Sequence, residues 1–181
     1  MAEQTNENEY GHAAGDSILL IPLPELNPHL APWIEKSSSD GISAHITVLV
    51  PFLPEAELTD DVLAELRGIF SGFTAFDVTF QRTARFPEVL YLAPEPDQPV
   101  KDMTTAVYER WPQCPPYGGD FEDLTPHTTV VHVAETEAEY DEAARLLAAL
   151  LPLRTWATAV HLLVFDGGRW NLRERFLLAR S

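Results

Sequence analysis

A four-residue pattern that occurs twice constrains the fold of this chain more than any other feature. The sequence reads His-Ile-Thr-Val from residue 45 and His-Thr-Thr-Val from residue 127. Both copies lie in β-type runs, over 44–52 and 127–133, and an amphipathic helix is predicted after each run. The chain is therefore predicted to contain two similar strand-then-helix units.

The two helices that follow the motifs have distinct start signals. Apolar residues at helical spacing predict the first helix over 59–70, with acidic residues in its first turn. Thr136 and Glu139 have the spacing of a capping box at the start of the second helix.

The remaining segments complete an α+β pattern. Further strands are predicted over 17–23, 76–83, 89–93, 156–165 and 170–178. Helices are predicted from Asn27, which resembles a helix cap, and from about Gln98. Pro32 argues against the first of these helices, and Pro112 ends the second. An Asp-Gly-Gly sequence from residue 166 predicts a hairpin turn, and such short connections favour mainly antiparallel sheet.

The chain is acidic overall, with 28 Asp and Glu residues against 12 Lys and Arg and a formal net charge of −16. A field of this sign repels polyanions, so long nucleic acids and anionic membranes are not expected partners. The C-terminal part differs, because five arginines and only two acidic residues lie from Arg154 onward. A local anion site near the C-terminal strands fits this distribution.

The length of 181 residues is typical of a single domain. Residues 1–16 are polar and lack hydrophobic periodicity, which predicts a disordered leader before one domain over 17–181. A single cysteine, Cys114, allows no intrachain disulfide, and no segment has the pattern of a membrane span or a signal peptide. We therefore expect a cytoplasmic protein, monomeric and without membrane association.

The repeated histidines and threonines suit a phosphodiester. Residues two apart in a strand share a face, so each motif places its imidazole ~6.5–7 Å from its hydroxyl. If a pseudo-twofold axis relates the units, two imidazoles and two hydroxyls surround one space. One imidazole can then accept a proton from the entering oxygen while the other protonates the leaving oxygen, and the hydroxyls can donate to the non-bridging oxygens. This chemistry needs neither a metal ion nor a cofactor.

The paired His-x-Thr motifs resemble those of the 2H phosphoesterase superfamily, which contains the bacterial 2'-5' RNA ligases and the 2',3'-cyclic nucleotide phosphodiesterases. The similarity covers most of the chain from Ser17, including the segments 44–52, 85–92 and 126–130. It implies a bilobal α+β fold, with two pseudo-symmetric, mainly antiparallel sheet-and-helix lobes around a central cleft. It also implies that His45 and His127 are catalytic and that Thr47 and Thr129 bind phosphate.

These observations together predict a metal-independent phosphoesterase. The expected substrate is a small 2',3'-cyclic phosphate or a 2'-5' linked nucleotide or short oligonucleotide. For a cyclic phosphate, His127 is assigned to activating water and His45 to protonating the departing ribose oxygen. Arg85 and Tyr117 are further candidates for binding the substrate, through charge and through stacking on a base.

Three other interpretations remain open from the sequence. The first is a 2'-5' RNA ligase that acts on RNA ends, and the second is a non-catalytic nucleotide-binding module. The third is a metal site, and its candidate ligands are His127, His132, Asp120 and Asp123. Strand alternation argues against this site because it places His132 on the opposite face from His127. Structural or surface roles are expected for His12, His29, His132 and His161.

Overall fold

Each predicted strand-then-helix unit is present in the structure and is preceded by a further strand and helix. The structure is a computed structural model, and it describes residues 11–37, 41–120 and 123–180. The strands are β1 (Ser17–Pro22), β2 (His45–Leu49), β3 (Phe76–Phe86), β4 (Val89–Glu95), β5 (Thr128–His132), β6 (Leu153–Ala157), β7 (Ala159–Phe165) and β8 (Trp170–Leu177). The helices are α1 (Asn27–Ser37), α2 (Asp60–Ser71), α3 (Gln98–Arg110) and α4 (Glu137–Ala148). The segments β1-α1-β2-α2 and β4-α3-β5-α4 are the two repeats.

The strands form two antiparallel sheets of four strands each. The strand order is β2-β1-β7-β8 in sheet one and β5-β4-β3-β6 in sheet two. Each motif strand, β2 or β5, is thus an edge strand of its own sheet. This arrangement confirms the predicted α+β class with two antiparallel sheet-and-helix lobes.

The first helix of each repeat packs on the motif strand of the other repeat. Helix α1 contacts β5 and helix α3 contacts β2, whereas α2 covers β8 and α4 covers β3. One buried cluster includes side chains from both sheets, such as Leu19 and Ile46 from sheet one and Phe80 and Leu90 from sheet two. Burial of this continuous apolar surface holds the two lobes together.

A run that the sequence predicts as one strand, 156–165, contributes to two strands in different sheets. Strand β6 ends at Ala157 and pairs with β3, while β7 begins at Ala159 and pairs with β1. The chain therefore crosses between the sheets at Thr158. Buried and exposed residues alternate without interruption from Leu153 to Ala159, so the sequence carries no signal at the crossing.

Two predicted helix starts differ from the structure. The capping box is wrong, because the Thr136 side chain makes no capping hydrogen bond, and the Glu139 backbone N–H donates to the Thr136 carbonyl instead, at 3.2 Å. Asn27 does not cap α1, since its Oδ1 accepts from the Ala44 N–H at 2.9 Å. Helix α1 also continues through Pro32, against the sequence expectation.

The predicted leader is described only in part, because residues 1–10 lie outside the described residues. The remaining residues of the leader contact sheet one. The Gly15 N–H donates to the Phe165 carbonyl at 2.8 Å, and the Phe165 N–H donates to the Asp16 carbonyl at 2.9 Å. The His12 ring lies edge-on to Trp170, with 5.0 Å between centroids. The folded part therefore begins before Ser17. No helix in the described part of the chain has the length and apolar character needed to cross a membrane.

We predict that Thr104 on α3 stabilises the motif strand β2. Its buried hydroxyl lies 2.7 Å from the carbonyl oxygen of Val48 and 3.0 Å from that of Val100. Thr104→Val keeps the shape and removes the donor, so the unfolding free energy measured in urea should fall by about 1–3 kcal/mol. Thr105→Val is the matched control, because the exposed Thr105 hydroxyl bonds only within α3. Equal losses in the two variants would contradict this role.

Candidate active site

The motif strands β2 and β5 lie beside each other where the two sheets meet, although they belong to separate hydrogen-bonded sheets. The middle residues of the motifs, Ile46 and Thr128, are fully buried on the core side. His45, Thr47 and Thr129 are half-buried on the other face. The period-two alternation predicted within each motif is therefore present in both strands.

Each motif strand has a β-bulge directly after its threonine. Val48 is the extra residue of β2 where it pairs with β1, and Val130 is the extra residue of β5 where it pairs with β4. A bulge inserts one residue and so shifts the alternation of faces beyond it. The two motifs thus share a local distortion as well as a sequence.

The bulge in β5 changes the position predicted for His132. His132 pairs with Val89, and Thr129 pairs with Tyr91, two residues further along the regular strand β4. Because Val89 and Tyr91 share a face of β4, His132 and Thr129 also share a face. The prediction that His132 lies on the opposite face from His127 is wrong, because it assumed a strand without a bulge.

The two motif histidines make the same hydrogen bond. The Nδ1 atom of His45 lies 2.7 Å from the carbonyl oxygen of Ser43, and that of His127 lies 2.8 Å from the carbonyl oxygen of Thr125. In each case the acceptor belongs to the residue two positions earlier. A carbonyl only accepts, so Nδ1 carries the proton and Nε2 is the basic nitrogen of the neutral ring. Both imidazoles are therefore held in the tautomer that exchanges protons through Nε2.

Aromatic rings surround His127. The ring of Phe86 lies edge-on at 5.2 Å between centroids, and that of Tyr91 is tilted at 5.4 Å. Burial among these groups lowers the pKa of His127, while the hydrogen bond to Thr125 acts in the opposite direction. His127 is thus biased toward the neutral form that can accept a proton.

Tyr117 contacts both motifs, and the structure brings this predicted residue into the site. Its backbone N–H donates to the Val50 carbonyl at 2.6 Å, and its hydroxyl is hydrogen-bonded to the Thr47 hydroxyl. Its ring lies nearly parallel to that of His127, with 6.4 Å between centroids and 20° between planes. Burial raises the pKa of Tyr117 to about 12, although the bond to Thr47 opposes the shift, so the phenol stays protonated at neutral pH.

The backbone of Tyr117 adopts a conformation that favours glycine, with φ 51° and ψ 36°. The left-handed region costs a non-glycine residue roughly 1–2 kcal/mol, and such strain is concentrated at functional sites. This conformation lets the loop before the second motif place the Tyr117 side chain against Thr47 of the first motif.

One small depression lies beside the first motif. Its lining includes Thr47, Tyr117 and two residues just before the second motif, Thr125 and Pro126. Four of the predicted site residues therefore belong to one place: Thr47, Tyr117 and His127 by direct contacts, and His45 by its position two residues before Thr47 on β2. Thr129 follows two residues after His127 at the start of β5.

Arg85 is not brought to this site. Its guanidinium lies 3.7 Å from the centroid of the Tyr140 ring and forms an ion pair with Glu137 at 3.2 Å, both on α4. Arg85 precedes Phe86 in β3, and Phe86 contacts His127 on the other face of the sheet. That Arg85 binds substrate stays a prediction, and in this structure strand alternation turns its side chain toward α4.

The alternative metal site is not assembled. Among the residues that the structure describes, no three His, Cys, Asp or Glu side chains are close enough together to hold a metal ion. The four candidate ligands named from the sequence are all described, and they do not form such a group.

Phe86 and Tyr91 also lie beside His127, although the sequence did not predict it. Their rings stack on each other at 4.4 Å between centroids and both contact His127. The available signal was strand alternation: β3 and β4 form a hairpin, and residues 86 and 91 fall on the same face of it. That signal identifies a shared face but not the histidine that packs on it.

Comparison with known families assigns the chain to a superfamily. The 2'-5' RNA ligase superfamily matches residues 27–169, which include both motifs. The chain belongs to this superfamily. Membership confirms the resemblance inferred from the motifs and places the chain among the 2'-5' RNA ligases and LigT-like phosphoesterases. A comparison with curated proteins finds no match.

Several solved structures share the fold of this chain. E. coli LigT complexed with 3'-AMP has a TM-score of 0.58 and 17% identity, over 91% of this chain and 98% of that chain. The protein TT0787 of Thermus thermophilus has a TM-score of 0.62 and 18% identity, over 92% and 99%. A protein described as a phosphoesterase has a TM-score of 0.58 and 16% identity, over 92% and 99%. At these identities the likeness establishes the fold.

The lowered pKa of His127 predicts acid-sensitive stability. The unfolded chain binds a proton at this position at a higher pH than the folded chain does, so unfolding free energy falls as the pH falls through the unfolded pKa and levels off below the folded pKa. In His127→Gln, which cannot titrate, urea unfolding at pH 7 and pH 5 should show a smaller difference than in the wild type. His29→Gln changes an exposed histidine on α1 and should keep the wild-type difference. An unchanged difference in His127→Gln would refute the assignment.

Proposed function

We propose that the protein is a phosphoesterase acting on 2',3'-cyclic phosphates or 2'-5' linked nucleotides, with His45 and His127 as its acid and base. The observation that carries this proposal is the matched pair of hydrogen bonds from Nδ1 of each imidazole to a backbone carbonyl. Two histidines in the same tautomer on neighbouring strands are suited to in-line displacement at phosphorus.

The proton transfers balance for a cyclic phosphate. Nε2 of neutral His127 accepts a proton from water as the water oxygen bonds to phosphorus. The bond between phosphorus and one ribose oxygen breaks, and protonated His45 donates the proton that this oxygen takes up. The lowered pKa of His127 favours it as the base. After product leaves, exchange with solvent restores both protonation states.

The hydroxyl groups are proposed to hold the phosphate. Thr47 and Thr129 donate to its non-bridging oxygens, whose charge must be balanced during displacement. The Tyr117 hydroxyl is hydrogen-bonded to the Thr47 hydroxyl and so fixes the position of that hydroxyl beside the phosphate. No step in this mechanism uses a metal ion.

Small substrates are favoured over long RNA. The net charge of −16 opposes the association of a long polyanion. E. coli LigT has been crystallised with 3'-AMP, NADP+ and ATP, all of nucleotide size. We therefore propose a nucleotide or a short oligonucleotide as the substrate.

Ligation of RNA ends is the second candidate, and the name of the superfamily favours it. Formation of a 2'-5' linkage from a cyclic phosphate replaces water with a ribose hydroxyl and uses the same acid and base. Incubation with RNA bearing a 2',3'-cyclic end and RNA bearing a 5'-hydroxyl would distinguish joining from hydrolysis by product length.

We predict that His45→Ala and His127→Ala each lower kcat/KM for a 2',3'-cyclic nucleotide by about 10²–10⁴-fold, because each removes one proton transfer. The wild type should give a bell-shaped pH profile. His127→Ala should lose its acidic limb, which reports the base, and His45→Ala should lose its alkaline limb. Activity should persist in EDTA.

The control for these variants is His29→Ala, an exposed histidine on α1 that should retain wild-type kinetics. Loss of turnover in EDTA would favour metal catalysis instead. Nucleotide binding without turnover of any cyclic or 2'-5' linked substrate would favour a binding module.

We predict that Tyr117→Phe lowers kcat by roughly 3–10-fold with little change in KM, because it removes one hydrogen bond to Thr47 and keeps the ring beside His127. Steady-state kinetics on the same cyclic nucleotide provide the measurement. Tyr108→Phe, at a partly exposed position on α3, is the matched control. A rise in KM at constant kcat would show instead that Tyr117 stabilises the bound substrate and the transition state equally.

A further inference from the structure

A row of paired residues extends from the first motif across the whole of sheet one. Thr47 pairs with Leu20 on β1, Leu20 pairs with His161 on β7, and His161 pairs with Arg175 on β8. Directly paired residues in antiparallel strands project from the same face. His161 and Arg175 therefore lie on the face that carries Thr47, here called the motif face. Leu20, between Thr47 and His161, is itself buried in a second apolar cluster with Ile18, Phe165 and Trp170.

The other face of sheet one is covered by packing. Val160 and Phe176, the neighbours of His161 and Arg175 along their strands, are fully buried in the core. Glu174 also belongs to that side, since its carboxylate pairs with Arg67 on α2 at 3.3 Å. These contacts establish that Arg175 points away from α2 and toward the motif face.

Arg175 is an exposed cation in an acidic protein. Among the described residues, Arg67, Arg85 and Arg110 form ion pairs with glutamates, whereas Arg175 and the remaining arginines form none. Arg175 forms no ion pair within the described part of the chain, and only its backbone N–H donates to Glu174. An uncompensated guanidinium beside a catalytic face is suited to bidentate contact with a phosphate.

The imidazole of His161 adds a hydrogen-bonding group next to this cation. Burial and the charge of Arg175 both lower the pKa of His161, so the ring is neutral at neutral pH. It can donate one hydrogen bond without adding a second charge.

Apolar side chains flank Arg175 on the motif face. Leu172 and Leu177 pair with Leu163 and Ala159 on β7, and they are 57% and 64% exposed. A cation between exposed leucines matches a ligand with both an anionic and an apolar part, as in a nucleotide.

The row of paired residues also sets the distance between Arg175 and the first motif. Three spacings between neighbouring strands place the Arg175 backbone about 14 Å from that of Thr47. One phosphate cannot contact both backbone positions closely. The long Arg175 side chain narrows the gap, so two phosphates of one ligand can contact Thr47 and the Arg175 guanidinium.

We propose that Arg175 and His161 form a second phosphate-binding subsite, which takes the phosphate next to the one held by the two motifs. This inference rests on the proposed function and narrows its substrate class. The preferred substrate carries at least two phosphates, as in a short oligonucleotide or a nucleotide with an additional terminal phosphate.

The test is direct binding, so that it does not depend on turnover. Adenosine 3'-monophosphate and adenosine 3',5'-bisphosphate are titrated by calorimetry into the wild type, Arg175→Gln, Arg175→Lys and Arg145→Gln. The wild type should bind the bisphosphate at least about tenfold more tightly, since a charge-assisted contact is gained. In Arg175→Gln the two affinities should become equal within about twofold through weaker binding of the bisphosphate alone, and Arg175→Lys should keep part of the preference.

Arg145→Gln removes the same charge from an exposed position on α4 and should keep the wild-type preference. Equal affinities in the wild type, or an unchanged preference in Arg175→Gln, would overturn the subsite. An equal fall in Arg175→Gln and Arg145→Gln would assign the effect to net charge and also overturn it. If the preference is present and depends on Arg175 while no substrate is turned over, the subsite stands and the proposed catalysis fails.

Discussion

Helix α1 packs on β5 and helix α3 packs on β2, so that each motif strand is supported by a helix from the other repeat. The two motif strands are edges of separate sheets and gain nothing from hydrogen bonds to each other. Packing of α1 and α3 into one apolar core keeps the two motif strands side by side. Thr104 on α3 and Asn27 at the start of α1 add specific bonds to the backbone at Val48 and Ala44. The positions of both imidazoles therefore depend on packing between the repeats.

The repeat is symmetric in backbone geometry and asymmetric in surroundings. Both histidines use Nδ1 to bind a carbonyl two residues earlier, and both threonines precede a bulge. The described surroundings of His127 include the rings of Phe86, Tyr91 and Tyr117, and burial there lowers its pKa. An identical local motif can thus supply two different proton-transfer roles, because the pKa of an imidazole follows its environment.

The sequence predicted much of this architecture but failed where the strands are irregular. The motif strands, the helices after them and the Asp-Gly-Gly hairpin were predicted because each has a local periodicity or turn signal. The position of His132 was wrong because the bulge at Val130 depends on pairing with β4. The division of the run 156–165 also escaped prediction, since alternation continues while the chain changes sheets. Arg85 was proposed from its charge and its place beside a predicted strand, whereas its contacts with α4 depend on tertiary packing.

The sequence by itself determined the chemistry available to this protein: two imidazole-hydroxyl pairs, each on one strand face, within an α+β chain whose acidic charge disfavours long polyanions. These properties are local or additive, so they can be obtained from spacing and composition. Only the tertiary structure decided that Tyr117 bonds to Thr47 while facing His127, that aromatic rings enclose one imidazole, and that Arg175 shares a face with the first motif. Those relationships join residues far apart in the chain, and they arise from strand register, bulges and helix packing, which no local pattern specifies.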